Sequence, residues 1–342
     1  MPVRQKSVLP DALRSQLNIL GSRLEQQVPI NREFDGILPA LNALPAQTIV
    51  RAEAEISLEA SLHKWGRQYP MAFRLFSSRL EDIGQLERVA DLKFLFLFHR
   101  DGYVREAALR RLRSPLPSPF FFAAVAWRLN DWVAQVREAA AECAAYCFPM
   151  TPPAIIAEAA LTLLARENSW GRWTGEQGAL RDALKRPDVS RELAAILKTH
   201  STGPMATVTR YALRVGGLDP YLEMLARDAV QPAVRAVAAQ VLIDGYATWS
   251  SGWTWRWVDK SMGVRRRETT YSHRPLDRSA PRIPTIEASA NDPSAIVRRV
   301  AASSIIKHGI DPAAARRIAE PLLGDRSPSV RERAEFILKE GH

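Results

Sequence analysis

Trp253, Trp255 and Trp257 alternate with Thr254, Arg256 and Val258, and Arg265, Arg266 and Arg267 follow after a short Lys-Ser-Met-Gly connection. These residue types carry two kinds of recognition chemistry. A guanidinium fork pairs with phosphate or carboxylate oxygens, and an indole ring stacks on a base, fills a partner's pocket or accepts a cation on its face. Between residues 249 and 282, Arg256, Lys260, Arg265, Arg266, Arg267, Arg274, Arg278 and Arg282 stand against Asp259, Glu268 and Asp277. The local charge is 8 − 3 = +5, half of the chain's formal +10. A second aromatic-basic group, Trp170, Arg172 and Trp173, sits among three glycines in a stretch read as an inter-helix loop. Its Trp and Arg either contact a partner or plug the joint between two irregular repeats.

The period of two around Trp255 belongs to a strand. Residues 260–263 can turn the chain and 264–271 can return, so a β-hairpin is expected inside an insert spanning 246–285. Three readings of it stay open. The arginines grip phosphates while Trp stacks on unpaired bases; the hairpin docks on an acidic protein surface; or the Trp face lies back on helices, with arginines solvated outside or covering the aromatics. A two-stranded hairpin is marginal alone, so the expected arrangement is Trp inward and Arg outward.

The surrounding chain must position this insert, and it is repetitive. Asn291-Asp-Pro-Ser-Ala-Ile-Val297-Arg298-Arg-Val300-Ala301 places a capping residue and an early Pro before Val297, Val300, Ala301, Ser304 and Ile305, which form one stripe of an amphipathic helix. Related phrases start at Asp101, Asp131, Asp228 and Asp325, each followed by Val-Arg and Ala. Val104 and Val136 are 32 residues apart and Val297 and Val330 are 33 apart, whereas Val234 and Val297 are separated by 63, the excess being the insert. A period near 33 marks helix pairs that bury their apolar faces against neighbours. Arg298 lies beside the stripe, where its guanidinium can reach the capping Asp of the neighbouring unit.

At these five phrases the chain resembles the HEAT repeat family, whose second helix typically carries an Asp, then Val-Arg, then Ala. The resemblance implies an all-α, right-handed α-solenoid of HEAT-like helix pairs, here interrupted by a basic, Trp-rich β-hairpin. It implies no single activity, since such solenoids include scaffolds, transport receptors, subunits of chromatin and repair machinery, and a small class of DNA glycosylases. In those glycosylases a carboxylate and aromatic side chains on a basic concave face act on a damaged base. The nearest equivalent here is Asp131 beside Trp132, with Trp127 and Trp170 or Trp173.

The domain organisation read from this is an N-terminal helical cap or degenerate repeats over 1–90, HEAT-like repeats over 91–245, the insert over 246–285 and C-terminal repeats over 286–342. Helices are expected over 10–27, 33–44, 46–63, 71–80 and 86–98, and a fully buried one over 120–127. Arg100, Arg105, Arg110, Arg111, Arg113 and Arg128 suggest one end of a basic surface. Cys143 and Cys147, four apart on one helix, read as small core residues, and no His, Cys or carboxylate spacing points to a metal. No Gly-rich phosphate loop, His-Glu-x-x-His or Gly-x-Ser-x-Gly motif is present. No apolar run approaches a membrane span and no charged n-region leads an apolar h-region, so a cytoplasmic location is expected. The function expected is non-enzymatic binding or scaffolding through the concave helical face and the hairpin, with nucleic acid or an acidic protein as partner and no cofactor. A pure protein-protein adaptor with a structural hairpin and a glycosylase of alkylated bases are the alternatives.

Overall fold

The computed structural model describes residues 7–26, 28, 30, 34–62, 81–166, 178–277 and 280–340. The expected helix over 71–80 and the Trp170, Arg172 and Trp173 group lie outside the described residues. The chain is mostly helical, with one two-stranded antiparallel sheet among the described residues. It divides into two compact units, Met1–Ala183 and Leu184–His342.

In the first unit, α1 (Asp11–Gln26) packs on α2 (Ile37–Asn42) and α3 (Ile49–Glu59) through Leu13, Leu17 and Leu20, all buried at the spacing of one helix face. The expected helix over 86–98 is broken. Residues 81–88 are helical (α4), and a turn at Val89–Asp91 then leads into α5 (Leu92–Phe96). The break lets Phe94, Phe96 and Phe98 all reach the core, which one continuous helix face could not provide for residues two apart. After α6 (Gly102–Arg111), the Pro-rich stretch ends at Ser118, whose hydroxyl accepts from the Phe121 amide to start α7 (Pro119–Arg128). Phe120 to Ala126 of α7 are all buried, as expected of a helix apolar on every side. Phe94 and Phe121 meet at 4.8 Å, and Phe122 stacks on Phe148 of α8 (Ala134–Met150) at 4.1 Å. Cys143 and Cys147 of α8 are free and buried, with their sulfurs 3.8 Å apart. Helix α9 (Pro153–Arg166) covers α7 from another side.

Helix α10 (Gly178–Lys185) carries the boundary between the units. The second unit continues with α11 (Pro187–Thr199), α12 (Met205–Ala212), α13 (Leu222–Asp228) and α14 (Pro232–Asp244). After the sheet come α15 (Arg282–Ala290), α16 (Ala295–His308), α17 (Pro312–Ala319) and α18 (Pro328–Glu340). Here α14 packs on α12, α13, α15 and α16, and α16 on α15 and α18. Ile243, Ile286, Ala301, Ile305, Ala315, Val330 and Ile337 form one continuous core.

The repeated Asp and Arg make the same contacts in different copies. Asp292 accepts the Ser294 amide at 2.7 Å and Asp325 the Ser327 amide at 2.8 Å, turning the chain into the next helix. Arg298 donates from Nη1 to the Asp292 and Pro293 carbonyls within its own unit, both at 2.8 Å. Its Nε and Nη2 grip Asp325 of the following one at 2.5 and 2.9 Å. Arg235 does likewise, holding the Ala229 and Val230 carbonyls and, across the whole insert, Asp292 at 2.7 and 2.9 Å. In the first unit Arg105 holds the His99 and Arg100 carbonyls and grips Asp131 at 3.0 and 2.8 Å. The inter-unit pairing expected for Arg298 is thus present three times, with Arg fixed on both sides.

Among the described residues, no helix is long and apolar enough to cross a membrane.

Candidate binding hairpin

Gly245 ends α14 in the left-handed region at φ 77°, a conformation that suits a residue without Cβ, and re-aims the chain out of the helix. Strand β1 (Tyr246–Asp259) leaves from there, and β2 (Val264–Pro275) returns antiparallel to it. At the far end, the Asp259 carboxylate accepts the Ser261 hydroxyl at 2.6 Å and the Ser261 and Met262 amides at 2.8 and 3.1 Å. Gly263 closes the turn at φ 67°. The Ser261 hydroxyl, then the two amides, hold the Asp259 carboxyl below its ordinary pKa.

The base of the hairpin is built into the helices. Ala247 is fully buried. Arg274 donates to the Leu213 carbonyl at 2.7 Å and, from both terminal nitrogens, to the buried Asp219 carboxylate at 2.8 and 2.5 Å. Arg214 stands over the rings of Tyr211 and Trp249, and its Nη2 donates to the Ser250 carbonyl at 3.0 Å. On the other side, Lys307 and His308 of α16 meet the Asp244 carboxylate, and Lys307 also donates to the Tyr246 hydroxyl at 3.0 Å. The Leu276 amide donates to the Gly245 carbonyl at 3.0 Å, so the two ends of the insert are fastened to each other. Arg274 therefore serves the fold rather than the exposed charge, whereas Arg282 is exposed and donates from Nε to the Ile243 carbonyl.

From residue 251 to 258 every position of β1 is exposed. Trp253, Trp255 and Trp257 are 50%, 53% and 43% exposed, so they do not lie back on the helices. The expectation of Trp inward and Arg outward is overturned by the strand register. Trp255 pairs with Arg267 and Trp257 with Arg265, so the rings and these two guanidiniums share one face. Arg265 lies over the Trp257 ring at 3.9 Å and Arg267 over the Trp253 ring at 3.7 Å, while Trp253 and Trp255 meet edge to face at 5.7 Å. The other face carries Arg256 opposite Arg266 and Thr254 opposite Glu268, with Arg256 and Glu268 joined at 3.3 Å. Between 253 and 268 the charge is 5 − 2 = +3. Exposed cation–π contacts stabilise by about 0.5–1 kcal/mol each. Stacking on a base is larger, about 1–3 kcal/mol, so an incoming base can displace an arginine from its ring. Sequence reasoning missed Tyr271, 66% exposed on the same face of β2, although continuing the alternation from Arg265 and Arg267 reaches it.

Asp131 is built differently from a catalytic carboxylate. Its side chain has no solvent exposure and accepts two bonds from Arg105, one from Arg128 at 2.8 Å and one from the Val133 amide at 3.0 Å. Burial pushes its pKa up. The Arg105 hydrogen bonds and the charges of Arg128 and Arg105 more than offset this and hold the carboxyl below its ordinary value. Arg105 and Arg128 are buried by the same pairing, which removes them from the basic surface expected there. A cavity of about 620 Å³ opens beside this cluster, between Phe98, Arg100, Trp127, Asn130 and the exposed Trp132. On its wall Glu53, which sequence reasoning passed over, accepts from the Trp127 indole at 2.6 Å and from Arg128.

No family model matches the chain, and no curated protein matches it.

Proposed function

We propose that this chain is a non-enzymatic, HEAT-like helical-repeat protein that binds nucleic acid through its basic, Trp-rich hairpin, with the helices as its scaffold. The observation that carries this is the position of the ladder. Arg265, Arg267 and three half-exposed tryptophans stand on one face of an arm whose base alone is embedded in helices. A ladder meant only to stabilise the fold would be buried there, and exposed large aromatics interleaved with cations mark contact surfaces.

The right-handed solenoid belongs to the same proposal. It is supported by the recurrence of Arg-to-Asp pairing and by the packing of alternate helices, α12 on α14, α14 on α16 and α16 on α18. The glycosylase alternative loses support from Asp131, because a carboxylate saturated by four donors has no lone pair free for a reacting sugar.

The test is an oligonucleotide titration of the full chain followed by Trp fluorescence. Affinity should fall steeply between about 50 and about 200 mM salt, and Arg265→Ala with Arg267→Ala should shallow the salt dependence by about two phosphate contacts. Salt-insensitive or absent binding, with capture of an acidic protein instead, would return the hairpin to a protein-docking role.

A further inference from the structure

We infer that the hairpin face bearing Trp253, Trp255 and Trp257 takes unpaired, single-stranded nucleic acid in preference to duplex, with one base at each tryptophan step. This rests on the reading of the hairpin as a nucleic-acid arm and specifies what that arm selects.

The argument is one of spacing. Neighbouring tryptophans are two residues apart on one strand face, a backbone step of about 6.4–6.8 Å, and the Trp253 and Trp255 ring centres lie 5.7 Å apart. Bases stacked in a duplex strand follow one another at about 3.4 Å. A platform of that wider step cannot meet consecutive stacked bases, and paired bases present edges rather than faces to a protein. A single strand has splayed bases whose faces are free, and its chain can extend to match the wider step.

The cations fit the same geometry. Arg265 and Arg267 occupy the facing strand, also two residues apart, so guanidiniums and rings advance along the arm with one repeat. With a base taking the ring face, each displaced guanidinium stands beside the platform, within reach of the phosphate that links one base to the next. Tyr271 extends the aromatic face toward the base of the hairpin. The opposite face holds no aromatic ring between Thr254 and Arg256 or between Arg266 and Glu268, and its Arg256 is paired with Glu268. One face of the arm is therefore a stacking platform and the other is not.

The experiment compares a short oligothymidylate strand with a mixed-sequence duplex of the same length, using the full-length protein at one low salt concentration. The strand should bind at least about tenfold more tightly than the duplex, and Trp255→Ala should weaken the strand by about 5- to 150-fold. Trp255→Phe, which keeps a ring, should recover most of that loss, separating stacking from any disturbance of the hairpin. Equal affinity for strand and duplex, or strand binding indifferent to Trp255→Ala, would overturn the single-strand assignment and leave a phosphate-binding arm. Binding of neither nucleic acid would overturn both.

Discussion

The Arg267 guanidinium lies 3.7 Å from the centre of the Trp253 ring, although its partner across the strands is Trp255. The contact is diagonal, and it ties the aromatic row of β1 to the basic row of β2 one step out of register. Long side chains such as Arg and Trp span such diagonals on a twisted two-stranded ribbon, whereas Arg265 covers the ring of its direct partner Trp257.

Removing that diagonal should loosen the arm without touching the helices. Arg267→Ala is expected to cost the hairpin about 0.5–1 kcal/mol and to shift Trp emission to the red. The melting temperature of the helical fold should stay within about 1 °C, since surface changes rarely exceed 0.5 kcal/mol or so. Emission spectra and a thermal melt followed by helical circular dichroism read the two effects separately.

Asp131 behaves oppositely, because it stands at zero exposure between two guanidiniums. Asp131→Asn leaves Arg105 and Arg128 buried beside an amide that offers them donors as well as an acceptor. Breaking a buried ion pair on one side costs about 3–5 kcal/mol. Urea unfolding of the variant should show a midpoint lowered to match, and a change under about 1 kcal/mol would mean the cluster is hydrated and slack.

Acid should expose the same carboxylates. Asp131 and Asp325 both sit below the ordinary aspartate value of about 3.9. Asp131 does so against the upward push of burial, through Arg105 and Arg128; Asp325 does so chiefly through its hydrogen bonds from Arg298. An aspartate lowered in the fold contributes stability that is full above its unfolded pKa and is lost as pH falls through its folded one. Stability should be flat from about pH 7 to about pH 5 on account of these groups and drop below about pH 4. In Asp131→Asn the drop should be shallower. A wild-type curve falling already at neutral pH would point to other groups.

The exposed part of the arm should be removable. Replacing residues 251–270 by a two-residue Asn-Gly turn keeps Trp249, Ser250, Arg274 and Asp219 in place, and the pairing of Ser250 with Tyr271 accepts such a turn. The shortened protein should melt within a few degrees of the parent and lose oligonucleotide binding. Failure to fold would show that the outer arm supports the helices after all.

How far the sequence could be read differs between helices and hairpin for a physical reason. The Val-Arg and Asp phrases recur, and recurrence separates a structural device from chance, so the reach of Arg298 to the next capping Asp was foreseeable. Charge counting misleads: Arg105 and Arg128 counted as surface charge until their pairing with Asp131 buried them. The two strands were legible from alternation in β1. Which rows share a face was not, because that depends on the four-residue connection 260–263 and on register shifts at Ser250/Gly252 and Trp257/Asp259. The break at Val89–Asp91 escaped notice because Val89, Ala90 and Asp91 include no Gly or Pro to mark a turn.

The bond between Leu276 and Gly245 bears on how the chain finds its fold. Arg235 and Asp292 are 57 residues apart in sequence, whereas Arg298 and Asp325 are 27 apart. The two strands with their turn run from Tyr246 to Pro275, 30 residues, and 57 − 30 = 27. Once the hairpin has closed on itself, the search that brings Arg235 to Asp292 is as short as that of the next unit. The penalty for the doubled separation, about 0.6 kcal/mol of closure entropy, falls away. With the hairpin closed, the insertion adds nothing to the loop that separates Arg235 from Asp292.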